Sequence, residues 1–202
     1  MKDFILKEES YFIYVTNILN EDIISYSNFL SDEEKKKLSL FQSNKRKIEF
    51  SAVRYLLKKN IGNFTIQYNE EGAPNLINGP AISISHSHDF VIIGQTTKNK
   101  IGIDIERIQS KIKNIAHKFL NQEDIENLNN KNDEIEYTKI WCCKEAIFKI
   151  SSCKTLSLKE NIIIDLLSNS NATAIVKLNN ETCYYSVKLH TIDDYIIAVV
   201  VK

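Results

Sequence analysis

The spacing of apolar positions changes several times along the chain, and each change marks a new element. Tyr11 to Thr16 alternates as a half-buried strand does, and Ile18 to Leu30 then carries apolar residues at helical spacing. Ser31-Asp32-Glu33-Glu34 offers a helix cap with an acidic first turn, which predicts a helix from there to about Phe41. From Lys45 to Ile61 the apolar residues Ile48, Val53, Leu56, Leu57 and Ile61 share a helical period, and Gly62 stands where a C-cap belongs. Phe64 to Tyr68, a turn around Glu71-Gly72-Ala73-Pro74, and strands at Ala81 to Ser85, Phe90 to Thr96 and Lys100 to Glu106 complete the first half.

The second half repeats the order. Helical patterns cover Ile112 to Leu120, Gln122 to Leu128 and Glu134 to Ile150, and strands follow near Ile162, Ala174, Tyr185 and Ile197. Helices followed by strands, twice, predict an α+β protein of two similar lobes. Each lobe is expected to be a small, mainly antiparallel sheet packed on a long helix. The expected division places one lobe at 1–99 and the other at 100–202. No long Gly, Ser or Pro linker separates them, so the lobes should pack closely, with the site in the cleft between.

Composition narrows the functional classes. The 202 residues are 43% hydrophobic and 26% charged with zero formal net charge, which fits a globular protein and provides no basic stripe for nucleic acid. Charges among Met1-Lys2-Asp3-Phe4-Ile5-Leu6-Lys7-Glu8-Glu9 interrupt any signal-peptide core. The longest apolar run, Tyr195 to Val201, is too short to span a bilayer. A cytoplasmic protein with no membrane partner is expected. Cys142, Cys143, Cys153 and Cys183 lack C-x-x-C spacing and read as reduced small hydrophobes.

Three constellations carry candidate chemistry. In Gly102-Ile103-Asp104-Ile105-Glu106 the two acids are two apart on a strand and face one way. They suit magnesium and a phosphate, or else they are a solvent-facing strand edge. In Trp141-Cys142-Cys143-Lys144-Glu145-Ala146-Ile147-Phe148-Lys149, helical spacing puts Trp141, Glu145 and Lys149 on one stripe. That stripe would hold a metal beside an anion, or form an ordinary i,i+4 pair. Ile84-Ser85-His86-Ser87-His88 ends one strand just before the next and offers donors to phosphate oxygens, or is a polar surface turn. A serine-hydrolase reading fails because Ser85 lacks the G-x-S-x-G elbow.

Taken in order, S-H-S at 85–87, G-I-D-I-E at 102–106 and W-x-x-K-E-A-x-x-K at 141–149 resemble the signature blocks of the 4'-phosphopantetheinyl transferases. The type resembled is the two-lobed, monomeric one that activates surfactin synthetase and related megasynthases. Lys45-Arg46 through Arg54-Tyr55-Leu56-Leu57, Gly72-x-Pro74, Phe119 to Glu123 and the last strand extend the likeness over most of the chain.

The resemblance implies transfer of phosphopantetheine from coenzyme A to a serine of an apo carrier protein, with magnesium, or manganese in its place, as cofactor. It implies that Asp104, Glu106 and Glu145 hold the metal and that Lys149 contacts the pyrophosphate, with Lys144 adding positive potential nearby. Ser85 and His86 become coenzyme A contacts on the facing lobe, and Arg46, Arg54 and Lys37 candidates for the 3'-phosphate and adenine end. Glu123 resembles an acid proposed to deprotonate the acceptor serine, a role for which Glu145 competes. Two departures stand out: Ala73 occupies a position that is often basic, and Ser151-Ser152-Cys153-Lys154-Thr155 replaces a Gly-rich turn. The alternatives are a non-catalytic module that binds coenzyme A or a carrier protein, and a generic magnesium phosphohydrolase.

Overall fold

The computed structural model describes residues 3–128, 133–151, 153 and 155–202. Strands β1 (Asp3–Lys7) and β2 (Tyr11–Asn17) precede helices α1 (Ile24–Ser27), α2 (Asp32–Ser39) and α3 (Asn44–Asn60). Then come β3 (Ile66–Tyr68), β4 (Pro74–Leu76), β5 (Ala81–Ser87), β6 (Phe90–Thr96) and β7 (Ile101–Arg107). A short α4 (Ile112–Ile115) runs into a 3-10 turn (Ala116–Lys118), followed by α5 (Gln122–Asn127), α6 (Glu134–Ser151) and α7 (Leu158–Asn161). The last four strands are β8 (Ile162–Leu166), β9 (Asn171–Leu178), β10 (Glu181–Ile192) and β11 (Tyr195–Val201).

The result is a mixed α+β fold with antiparallel sheets. One sheet has the order β1-β2-β6-β5 and another β7-β11-β10-β9-β8, and β3 pairs with β4 alone. Register follows the alternation of each strand: Ile13 faces Gly94 and Val15 faces Ile92 across β2 and β6. Asp104 faces Ala198 and Glu106 faces Ile196 across β7 and β11.

Both faces of each large sheet are used. Helix α3 lays Ala52, Val53, Leu56 and Leu57 against Tyr14, Val91 and Ile93 of the first sheet. Helix α6 lays Cys143, Ala146 and Ile147 against Ile164, Ile196 and Ala198 of the second. Between the sheets, Ile13, Val15 and Ile92 meet Ile103, Ile105 and Ile197. Each such isoleucine or valine, fully removed from water, contributes roughly 1.5–3 kcal/mol. The alternation of β7 therefore sends Ile101, Ile103 and Ile105 into the inter-sheet core and leaves Gly102, Asp104 and Glu106 on the α6 side.

Gly102 is required there. A Cβ at this position would lie 2.0 Å from the Ala146 carbonyl oxygen, so only glycine lets α6 press so closely on β7. A second junction runs between β5 and β7, where the hydroxyls of Ser83, Ser85 and Ser87 accept backbone N–H bonds from Ile103, Ile105 and Arg107 at 3.2, 3.4 and 3.4 Å. These hydroxyls satisfy N–H groups on the β7 edge that faces away from β11.

Several elements differ from the sequence reading. The helix expected over Ile18 to Leu30 shrinks to α1, because Asn20 takes a positive φ of 60° and the Asn17 and Asp22 side chains hold Leu19 and Ser25 in local turns. The pattern at Ile112 to Leu120 divides into α4 and a 3-10 turn, with Phe119 and Leu120 both buried beyond it. Strands β1 and β4 are additional to the reading. The predicted helices near 31–41, 45–61 and 134–150 are α2, α3 and α6, and Gly62 follows α3 at a φ of 136° with its N–H on the Leu57 carbonyl. Ser152 and Lys154 of the unusual turn, and Met1 and Lys2 of the amino terminus, lie outside the described residues. Among the described residues no helix is long and apolar enough to cross a membrane.

Candidate active site

Asp104 and Glu106 reach out from β7, and one turn apart on α6 stand Glu145 and Lys149, brought close by the glycine contact. The Lys149 ammonium donates to Asp104 Oδ1 at 2.8 Å and to the Ile103 carbonyl at 2.9 Å. The Ser85 hydroxyl donates to the same Oδ1 at 2.8 Å, and the Ser87 hydroxyl donates to Glu106 Oε2 at 2.8 Å. Among the described residues, Asp104 Oδ2 is buried with no hydrogen-bond partner. A buried carboxylate oxygen without a donor is costly, about 1–3 kcal/mol or more for a charged group, and marks a place that a cation would satisfy.

Burial first, and the neighbouring charges second, displace the carboxyls from their ordinary range. Burial, reinforced by Asp104 and Glu106 and opposed by Lys149, pushes the Glu145 carboxyl up to about 7. Burial also raises Glu106; the Ser87 hydroxyl opposes the shift and Asp104 adds to it. Three acids and one ammonium thus share a half-buried site with too little positive charge. Among the described residues, however, no three His, Cys, Asp or Glu side chains converge on a common point as a metal set would. The donor chemistry fits a hard cation, with carboxylate oxygens on both elements and one of them lacking a partner, while Lys149 acts as the counter-ion of Asp104.

The cleft that holds these groups measures about 440 Å³ and is walled by α3, β5, β7 and α6. Its far wall is basic and aromatic. Arg46 is half exposed and places Nη1 3.3 Å from His86 Nε2; since a guanidinium only donates, His86 carries its proton on Nδ1, which faces Glu49 Oε1 at 3.3 Å. Burial lowers the His86 pKa; the Glu49 carboxylate works against that, and Arg46, Lys149 and Lys45 add to it. Arg54 is buried, stacked 3.6 Å over the Phe50 ring, with Nε on Glu34 at 3.0 Å, yet it still borders the cleft. Trp141 lines the cleft too and packs edge-on against Phe119.

The structure therefore brings Asp104, Glu106, Glu145, Lys149, Ser85, His86, Arg46 and Arg54 to one cleft. Three expected residues lie elsewhere. Lys144 is fully buried on another side of α6, where it donates to Asp124 and to the carbonyls of Phe119, Leu158 and Ile162, so it has no hydrogen to offer an anion in the cleft. Glu123 stands exposed on α5, paired with Lys177 at 3.2 Å. Lys37 lies over the Tyr68 ring and borders a neighbouring pocket that it shares with Arg54. Ser85 is in place, but its hydroxyl proton is given to Asp104. Glu49, a buried acid of the cleft, and Ser87 were missed as site residues, although Ser83, Ser85 and Ser87 recur every second residue on one strand face.

Comparison with known proteins supplies the family. The sequence profile of the 4'-phosphopantetheinyl transferase superfamily matches residues 100–200, from β7 through β11. This chain belongs to that superfamily. It is also 26% identical over 144 residues to a Synechocystis sp. protein, slr0495, provisionally named a 4'-phosphopantetheinyl transferase. That alignment covers 63% of this chain and 58% of the relative, so the chain spans little more than half of the relative's length. Members of the superfamily are transferases that use coenzyme A and carrier proteins, and both carboxylate-bearing blocks fall inside the matched region.

Proposed function

We propose that the protein transfers the 4'-phosphopantetheine arm of coenzyme A to a serine hydroxyl of an apo carrier protein, of the acyl, peptidyl or aryl kind, and releases 3',5'-adenosine diphosphate. The observation that carries this reading is the buried Oδ2 of Asp104, without a partner among the described residues, beside Glu106, Glu145 and Lys149 in a cleft whose opposite wall is basic. The subtype is the monomeric, megasynthase-activating one, acting in the cytoplasm, with lobes at 1–99 and 100–202 that each build a sheet on a long helix.

In the reaction, the acceptor serine oxygen attacks the β-phosphorus of coenzyme A and the bond from that phosphorus to the bridging oxygen breaks. The electron pair leaves with 3',5'-adenosine diphosphate, and the hydroxyl proton goes to a carboxylate. Asp104, Glu106 and Glu145 would hold magnesium, whose charge offsets that of the pyrophosphate. Lys149, already aimed at Asp104, supplies a fixed positive charge beside the breaking bond. Glu145 is the proton acceptor in this reading, since it borders the cleft whereas Glu123 does not. Arg46 and Arg54, with the neutral His86 ring, bind the 3'-phosphate and adenine end; a guanidinium matches phosphate oxygens well.

A module that merely binds coenzyme A or a carrier would have no reason to bury mutually repelling carboxylates at a cost in stability. Incubation with coenzyme A, magnesium and an apo carrier protein, followed by weighing the carrier, tests the proposal. A gain of one phosphopantetheine, lost on chelation of divalent cations, is expected. Binding of coenzyme A without any gain in carrier mass would favour the non-catalytic module.

A further inference from the structure

The hydroxyls of Ser83, Ser85 and Ser87 occur at every second residue of β5 and all three are buried. All three accept a backbone N–H from β7, but they differ in where the hydroxyl proton goes. Ser85 gives its proton to Asp104 and Ser87 gives its proton to Glu106, each at 2.8 Å, while Ser83 has no hydrogen bond to a carboxylate among the described residues. A hydroxyl has one proton and two lone pairs, so accepting from a fixed backbone N–H restricts the direction in which the proton can point.

Ser87 is held more tightly still. Its oxygen lies 3.1 Å from His88 Nδ1, and His88 Nε2 lies 2.9 Å from Gln109 Nε2. Because the Ser87 proton is already used on Glu106, the His88 contact requires Nδ1–H as donor, which leaves Nε2 to accept from the Gln109 amide. One consistent polarity results: Gln109 donates to His88, His88 to Ser87, and Ser87 to Glu106. His88 sits in the β5–β6 turn with a positive φ of 46°, a conformation that a histidine adopts uncommonly and that turns the ring back toward Ser87.

We infer that Ser85 and Ser87 are positioning residues that fix Asp104 and Glu106 for cation binding, with His88 and Gln109 holding the Ser87 hydroxyl from behind. This assigns the Ser85 hydroxyl to the metal carboxylates instead of to coenzyme A, and it rests on the transferase reading of the cleft. Groups that orient metal ligands are commonly worth tenfold to a hundredfold in affinity, because an undirected carboxylate must lose rotamer freedom on binding.

Ser83 serves as the internal control, since it makes the β7 backbone bond without touching a ligand. The test is a Mn2+ titration followed by electron paramagnetic resonance, in the presence of coenzyme A, on wild type and on Ser83→Ala, Ser85→Ala, Ser87→Ala and His88→Gly. His88→Gly removes the ring where glycine relaxes the backbone, so it keeps the test alive if Ser87→Ala fails to fold. Mn2+ affinity is expected to fall about tenfold or more in Ser85→Ala and Ser87→Ala. It should fall by a smaller factor in His88→Gly and stay at the wild-type value in Ser83→Ala, whose loss is confined to thermal stability. Wild-type Mn2+ binding and transfer, with Ser85→Ala, Ser87→Ala and His88→Gly indistinguishable from Ser83→Ala, overturns the positioning role while leaving the transferase reading intact. A wild type that neither binds Mn2+ nor transfers phosphopantetheine overturns both.

Discussion

Helix α6 carries two lysines five residues apart, each paired with an aspartate from another element, and the two pairs have opposite characters. Lys144 and Asp124 are fully buried, and every hydrogen of the ammonium has an acceptor among Asp124 and the carbonyls of Phe119, Leu158 and Ile162. Asp124 is saturated as well, with Oδ1 accepting from Ile164 N and Oδ2 from Asn121 N. In the second pair Asp104 is buried but Lys149 is only partly enclosed; the two share their site with Glu106 and Glu145, and among the described residues Asp104 Oδ2 has no donor. A saturated pair can bind nothing further and ties α5, α6 and β8 together. An unsaturated pair beside two more acids holds unspent binding capacity, and that capacity is what a cation and a pyrophosphate would use.

The largest effect should come from breaking the saturated pair. Lys144→Ala or Asp124→Ala leaves one buried charge uncompensated and should cost about 3–5 kcal/mol of unfolding free energy in a urea titration. A loss under about 1 kcal/mol would remove the structural half of the comparison. The opposite behaviour is expected of the second pair: Lys149→Ala should lower kcat roughly a hundredfold or more, the scale of losing a main electrostatic element. Its effect on the coenzyme A KM should be smaller and its unfolding free energy should stay nearer wild type. An unchanged kcat with a raised KM would demote Lys149 to uniform substrate binding. Smallest of all is the exposed Glu123–Lys177 pair. Glu123→Ala should change stability by less than about 1 kcal/mol and leave turnover as it was. Collapse of turnover would return the proton-acceptor role to Glu123.

The difference between the pairs explains what the sequence could show. Periodicity alone finds α3 and α6, and the two-residue repeat in G-I-D-I-E puts Asp104 and Glu106 on one face of β7, as observed. Lys144 and Lys149 look alike in sequence; only the packing of α5 and α7 around α6 decides that Lys144 is enclosed and Lys149 is not. Glu123 and Asp124 are likewise alike in sequence, and it is Asp124 that turns inward from α5 while Glu123 stays exposed beside Lys177. The charges of β1 hide its alternation in the sequence, and the fold satisfies them at long range: Asp3 accepts from Thr16, Tyr55 and Lys59. The serine repeat of β5 was visible as spacing, but its purpose depends on β7 lying alongside, a pairing of distant segments that no local pattern announces.

On the reading proposed above, the unsaturated carboxylate on β7 is the centre of a phosphopantetheine transfer site. Asp104→Asn tests it most directly, because it preserves the volume of the side chain while removing its charge. Apo carrier protein should be incubated with coenzyme A, magnesium and either wild type or this variant, and weighed over time. Wild type should add one phosphopantetheine per carrier, and the variant, folded and of similar thermal stability, should do so roughly a hundredfold more slowly or not at all. Carrier modification by Asp104→Asn at the wild-type rate would contradict it.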